Sequence, residues 1–152
     1  MGLVIIQDSR EQQPLDFSIG KRVIRVEVKG MPWADYWGST EEGIEFPISF
    51  ERKNMGDLFQ TLTSGMDRFK RELERASKMD CRVYLAIEGS LSDVYAGYEH
   101  SSVSGNQIVK TLMTLRVKYG VEPIFCNSTH EMKAQIIETF EAIERNYKKA
   151  IE

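Results

Sequence analysis

The chain has 152 residues, 41% hydrophobic and 28% charged, with eleven glycines and four prolines. Those values describe one globular domain with enough apolar material for a core, and they exclude collagen-like, disordered and disulfide-stapled chains. The formal charge of −3 carries no global basic signature, so net charge alone does not point to a nucleic-acid partner.

In chain order, residues 3–6 (LVII) predict a buried strand, followed by a polar, turn-prone stretch over 7–20. RVIRVEVK (22–29) sets Val23, Val26 and Val28 among charges, which suits a half-exposed strand. A turn and a short extended piece cover GMPWADYWGS, residues 41–43 turn again, and IEFPISFERK predicts a strand in which Pro47 favours an edge or a bulge. These segments are expected to form an antiparallel meander. From 55 to 79 the spacing becomes helical, with Leu58 and Leu62 in one piece and Phe69, Leu73 and Ala76 after a Ser64-Gly65 break. CRVYLAIEG (81–89) reads as a buried parallel strand, LSDVYAGY as a short helix and 99–106 as a mobile loop. QIVKTLMTLRVKYG predicts a helix closed by Gly120, and VEPIFC predicts a strand. Ser128-Thr129-His130-Glu131 opens a last helix with a capping-box pattern, and Ile136, Phe140, Ile143 and Tyr147 form its apolar stripe. Met55, Met66, Met79 and Met113 are expected in the core, and Cys81 and Cys126 as buried, inert thiols. Trp33, Tyr36 and Trp37 are expected to pack rather than to bind or react, and His100 and His130 stand in no zinc-like spacing. Strands first, then alternating helix and strand, imply an α/β fold with a mixed sheet flanked by helices. No apolar run approaches the ~20 residues of a membrane span, and the opening residues lack a basic leader. A cytoplasmic or otherwise intracellular location is expected.

The stretch that carries chemistry is FERKNMGD, residues 50–57. On a strand Glu51 and Lys53 point to one side and Arg52 to the other. A carboxylate so placed can ligate a hard divalent cation, while the lysine stabilises negative charge and orients a water. Asp35 is the candidate second carboxylate, and Mg²⁺, which keeps several waters, needs only two or three such groups. Acid-x-Lys is also a common pattern of solvated strand edges, and Asp57, three residues after Asn54, also suits a helix N-terminus.

Asp8-Ser9-Arg10-Glu11, Asp35-Tyr36, Glu51-Arg52-Lys53 and Asp57, with Ser64, Arg68-Phe69 and a strand closing in Glu88-Gly89, together resemble the nuclease domain of the XPF/Mus/Hef structure-specific endonucleases. That family is a branch of the restriction-endonuclease-like superfamily. The resemblance spans nearly the whole chain and implies a single nuclease domain over 1–152, without a helicase or a helix-hairpin-helix domain. It implies that Asp35 and Glu51 are the principal ligands of Mg²⁺ or Mn²⁺, with Asp8 or Asp57 completing the acidic cluster. Lys53 would act on the water or the scissile phosphate, and Arg10, Glu11 and Arg52 would support the site. Ala34 replaces the family glycine before Asp-Tyr, which is expected to alter the turn slightly. The family glutamine after Arg-Phe is replaced by Glu72 or Glu74, and no role passes to either.

Bases outnumber acids over 52–82, whereas the remainder is acidic. Arg68, Lys70, Arg71 and Arg75 could contact phosphate, or form a solvated helix face in which Glu72 and Glu74 pair with them. The implied function is metal-dependent DNA hydrolysis, at branched, flap or single-strand/double-strand junction substrates, and the family also admits a homodimer. Two alternatives stand beside it: a non-catalytic DNA-binding or scaffold module, and a phage or mobile-element junction resolvase.

Overall fold

The computed structural model describes residues 2–18 and 24–151, with side chains through residue 146. Strands β1 (Leu3–Asp8), β2 (Arg25–Lys29), β3 (Tyr36–Thr40), β4 (Glu45–Lys53), β5 (Arg82–Glu88) and β6 (Glu122–Cys126) form one sheet in the order β2-β1-β3-β4-β5-β6. Strands β4, β5 and β6 are mutually parallel, as their long helical crossovers require, and β3 is antiparallel to both β1 and β4. The expected meander is corrected at its second strand, because β2 lies outside β1 and parallel to it. The connection from β1 to β2 is long enough for that return. It carries Leu15 and Phe17 into the core, where the Leu15 N–H donates to the Tyr36 hydroxyl at 2.9 Å.

Helices α1 (Met55–Thr61), α2 (Met66–Lys78), α3 (Leu91–Ala96) and α4 (Gly105–Tyr119) cover one face of the sheet. Helix α5 (Thr129–Ile151) covers the other. The pleat sorts the side chains: Val83, Leu85 and Ile87 of β5 meet the first group, while Tyr84 and Ala86 meet α5. Pro47 lies where the β3–β4 register shifts, and β5 joins β4 only from Ile48 onward, so its missing N–H interrupts no ladder.

Several local expectations change. Met55 and Met66 pack on the core, but Met79 is exposed because it caps α2 beyond its last turn, and Met113 turns outward from the stripe of Leu112 and Leu115. The 99–106 segment is a bonded turn: Ser101 N–H donates to the Tyr98 carbonyl, Val103 N–H to Ser101 Oγ, and Ser104 caps α4. Gly105 already belongs to that helix, since only a glycine passes so close to the Val94 and Tyr95 carbonyls. Trp33 and Trp37 are buried against each other with ring centroids 4.9 Å apart. Cys81 and Cys126 are buried and free, and burial pushes the Cys126 thiol up to about 11. Ile136 and Phe140 are buried, and Ile143 packs beside them. Val23 and the side chain of Tyr147 lie outside the described residues. Among the described residues no helix is long and apolar enough to cross a membrane.

Gly38 marks where α5 sits closest to the sheet, for a Cβ there would stand 2.7 Å from the Phe140 ring and 2.8 Å from Phe46. Gly38→Ala is expected to destabilise the fold by about 1–3 kcal/mol through overpacking, read as a lower urea midpoint. An unchanged midpoint would contradict the close seating of α5.

Candidate active site

The carboxyl ends of β1, β4 and β5 and the start of β3 meet at one end of the sheet, the end at which open α/β sheets usually hold ligands. Tyr36 pairs with Phe50 in the antiparallel β3–β4 register, so Asp35 falls one step further, beside Glu51. The backbone holds it there: Asp35 N–H donates to the Phe50 carbonyl, and its own carbonyl accepts from Asp8 N–H. Ala34 reaches this position with φ 63°, the left-handed region that glycine favours. The expected change in the turn is therefore corrected. The alanine keeps the glycine-type backbone, at a cost of about 1 kcal/mol.

Pleat alternation then divides the Glu51-Arg52-Lys53 segment. Glu51 and Lys53 project toward α1 and α2, with Lys53 Nζ 3.4 Å from Glu51 Oε1. Arg52 projects to the other face, where its Nε donates to Glu88 Oε1 at 2.7 Å and its Nη1 to the Gln13 carbonyl. Its backbone N–H meanwhile donates to Asp35 Oδ2 at 2.7 Å. Arg52 thus fastens the β1–β2 connection to β5 while its main chain orients an acid of the site. Glu88 is the partner whose role sequence reasoning missed. Its signal was there, since Arg52 lies opposite Ala86 and Glu88 is two residues further on the same face.

Two cavities open on either side of Glu51, Lys53 and Asp57. One, of about 330 Å³, is lined also by Gln60, Thr61, Arg68 and Glu72. The other, of about 460 Å³, is lined also by Arg10, Glu11, Asp35, Arg52 and Glu88. Asp57 sits in the first turn of α1, where its N–H donates to Asn54 Oδ1 at 2.8 Å, so it is both a helix-start residue and part of the shared wall. Glu11 lines the second cavity, and its Oε1 accepts from Gln13 N–H.

Asp8 is placed differently from the expectation. Its Oδ2 accepts from Arg10 Nε at 2.9 Å, and its Oδ1 accepts from Met31 N–H at 2.9 Å. Burial tends to raise its pKa, but the Arg10 bond and the Met31 N–H outweigh it and hold the carboxyl below its usual value. Both oxygens serve to orient Arg10, which also donates to the Met31 carbonyl. Accordingly, no group of three acidic, histidine or cysteine side chains placed to hold a metal occurs among the described residues. Asp35 and Glu51 stand side by side, Asp57 shares their cavity wall, and Asp8 lies close enough for its charge to act on Asp35. Of the five bases on α2, Arg68 alone lines a cavity beside these acids, and Arg71 is exposed. Arg75 donates to the Pro32 carbonyl, and Lys70 falls on the opposite side of the helix.

Electrostatically the acid pair is under load. Burial is the main reason that both pKa values lie above the ordinary carboxylate range. For Glu51 the charge of Asp35 adds to it, and Lys53 offsets only part. For Asp35 the Arg52 N–H opposes burial and the charge of Glu11 reinforces it. A half-buried, oxygen-only pair fits a hard divalent cation that retains waters, and it does not form an all-protein cage.

A mixed six-stranded sheet flanked by helices, with an Asp and a Glu-x-Lys segment meeting at strand ends, is an α/β architecture that matches the XPF nuclease fold. Residues 7–140 match the family model of the ERCC4 domain. The chain belongs to that family. Its fold resembles XPF from Aeropyrum pernix, with a TM-score of 0.68 at 16% identity over 97% of this chain and 68% of that one. It also resembles XPF from Aeropyrum pernix in complex with DNA, with a TM-score of 0.67 at 20% identity over 97% of this chain and 66% of that one. Comparison with curated protein sequences returned no match.

Because Asp35 and Glu51 hold protons to higher pH when folded than when unfolded, the folded metal-free protein binds more protons. Its stability therefore falls as pH rises from the ordinary carboxylate range through neutrality. Glu51→Gln is expected to flatten that decline and to stabilise the metal-free protein at pH 8 by on the order of 2 kcal/mol, measured by denaturant unfolding in EDTA. Equal slopes for wild type and variant would show that the pair is not raised. Ala34→Gly is expected to raise the thermal midpoint by relieving the left-handed backbone. A fall would mean that the buried methyl outweighs that strain.

Proposed function

We propose that this chain is a divalent-metal-dependent DNA endonuclease whose reaction centre is Asp35, Glu51 and Lys53. The observation that carries this reading is the adjacency of two half-buried carboxylates to a lysine, at a wall shared by two open cavities. Such a pair is unfavourable without a cation, and a lysine on the same face supplies the positive charge that a phosphoryl group needs. The DNA complex of the Aeropyrum pernix XPF supports DNA as the ligand class.

Asp35 and Glu51 would hold Mg²⁺ or Mn²⁺ through carboxylate oxygens, with water filling the remaining positions. Bound there, the cation would polarise the scissile phosphoryl group and make hydroxide available near neutral pH. The chain's own residues do the rest. The Arg52 N–H fixes Asp35 through Oδ2. Lys53 is ion-paired to Glu51 before substrate arrives. Its ammonium then turns to the non-bridging oxygens, where charge grows as water oxygen attacks phosphorus and the opposite P–O bond breaks. The leaving oxygen takes up a proton from solvent. Arg10, oriented by Asp8, presents a guanidinium at the edge of the same cavity for a neighbouring phosphate. Branched or flap DNA is the substrate class we propose, by analogy with the family. A non-catalytic scaffold of the same fold is disfavoured, because such a module has no use for a costly, half-buried acid pair.

The deciding experiment offers flap, fork, four-way junction, duplex and single-stranded DNA in Mg²⁺ or Mn²⁺. Cleavage of at least one substrate is expected, with loss of about 100-fold or more in Asp35→Asn and Lys53→Met. Binding without cleavage of any substrate would support the scaffold instead, and full activity in both variants would remove the proposed centre.

A further inference from the structure

Glu72 stands inside the site, although resemblance gives it no role. Helix α2 places Arg68, Glu72 and Arg75 in one row, four and three residues apart. Arg68 Nε lies 3.9 Å from Glu72 Oε1; the Arg68 side chain is 80% exposed and that of Glu72 only 24%. The cation therefore reaches outward over the cavity mouth while the carboxylate leans in beside Glu51 and Lys53. Glu72 also lies close enough to Arg10 and to Glu51 for its charge to act on both. It is thus an acid paired to an outward-reaching arginine on the wall of the cavity that adjoins the reaction centre.

An exposed ion pair at such a separation is worth at most about 1 kcal/mol. A phosphodiester offers the same guanidinium shorter, charge-assisted and bidentate bonds. The exchange of one anion for the other is therefore favourable, and Gln60 and Thr61 on the same cavity wall add neutral donors. Without DNA the lining of this cavity holds three acids, Glu51, Asp57 and Glu72, against Lys53 and Arg68. The carboxylate of Glu72 is the acid paired to the arginine that must change partner.

We propose that Glu72 is a positioning residue for Arg68, holding its guanidinium at the cavity mouth in the DNA-free protein and yielding it to the backbone phosphate next to the scissile one. The proposal rests on the reading of this site as a DNA nuclease. It makes Glu72 a brake on DNA binding that acts through Arg68, and not one more ligand of the metal.

The test is binding of a labelled flap and a duplex of about 20 base pairs in EDTA, followed by anisotropy between about 50 and 200 mM salt. Wild type, Glu72→Gln, Arg68→Gln and the double variant are compared, with Glu72→Ala as a second removal of the charge. Glu72→Gln and Glu72→Ala are expected to bind several-fold tighter and to steepen the salt slope by up to ~1. Arg68→Gln should bind more weakly, and the double variant should behave like Arg68→Gln alone. Unchanged or weaker binding in both Glu72 variants overturns the proposal. So does an equal gain in the Arg68→Gln background, which would mean bulk charge and not a specific pair. In either of those outcomes wild-type binding to DNA still stands, and with it the nuclease reading. If wild type binds neither DNA at any salt, both readings fall together.

Discussion

Two like charges placed side by side and half-buried are the constraint on which the rest of this molecule depends. Asp35 and Glu51 are neighbours because β3 and β4 are antiparallel and Tyr36 pairs with Phe50. Burial pushes both carboxyls toward the protonated form, helped at Glu51 by the charge of Asp35 and at Asp35 by those of Glu11 and Asp8. The surrounding structure answers with a backbone N–H from Arg52, the ammonium of Lys53 and, at the edge, the Arg10 guanidinium. None of these neutralises the pair completely, so both carboxyls stay above their ordinary range.

The pleat of β4 makes that arrangement possible within three consecutive residues. Glu51 and Lys53 face the cavities, while Arg52 works on the opposite face as a fastener between Glu88 and the Gln13 carbonyl. One segment therefore supplies both the chemical groups and the tie that keeps the β1–β2 connection against the sheet. Asp8 has a comparable double function, since its carboxylate bonds Arg10 and Met31 N–H and so joins β1 to the chain entering β3. The left-handed Ala34 completes the entry, carrying Asp35 into the site at a small cost in backbone energy.

Net charge says little about such a protein, because its charges are arranged by place. The acids gather at the strand ends, and the arginines of α2 are divided by helical geometry. Arg68 overlooks a cavity, Arg75 bonds the Pro32 carbonyl and Lys70 turns to the far side. A run of bases that reads as one patch along the chain is thus three separate environments.

Element type was legible because it depends on short-range periodicity and caps. The continuous apolar run of β5, the Ser64-Gly65 break, the Gly120 stop and Ser128 before α5 all appear where the residues themselves demand them. Asp35, Glu51, Lys53 and Arg52 could be singled out because strand alternation and family motif both operate on neighbouring residues. What the chain alone left open was pairing across distance. The parallel placement of β2, the bond of Asp8 to the distant Met31 N–H, and the service of Glu88 to Arg52 each require knowing which segments adjoin. The same holds for Ala34, whose φ is imposed by the bonds of Asp35 to Phe50 and Asp8. Local sequence determined which residues could do the chemistry. Only the tertiary structure decided which of them share one small volume, because a carboxylate takes its role from the partners that packing sets within hydrogen-bonding reach.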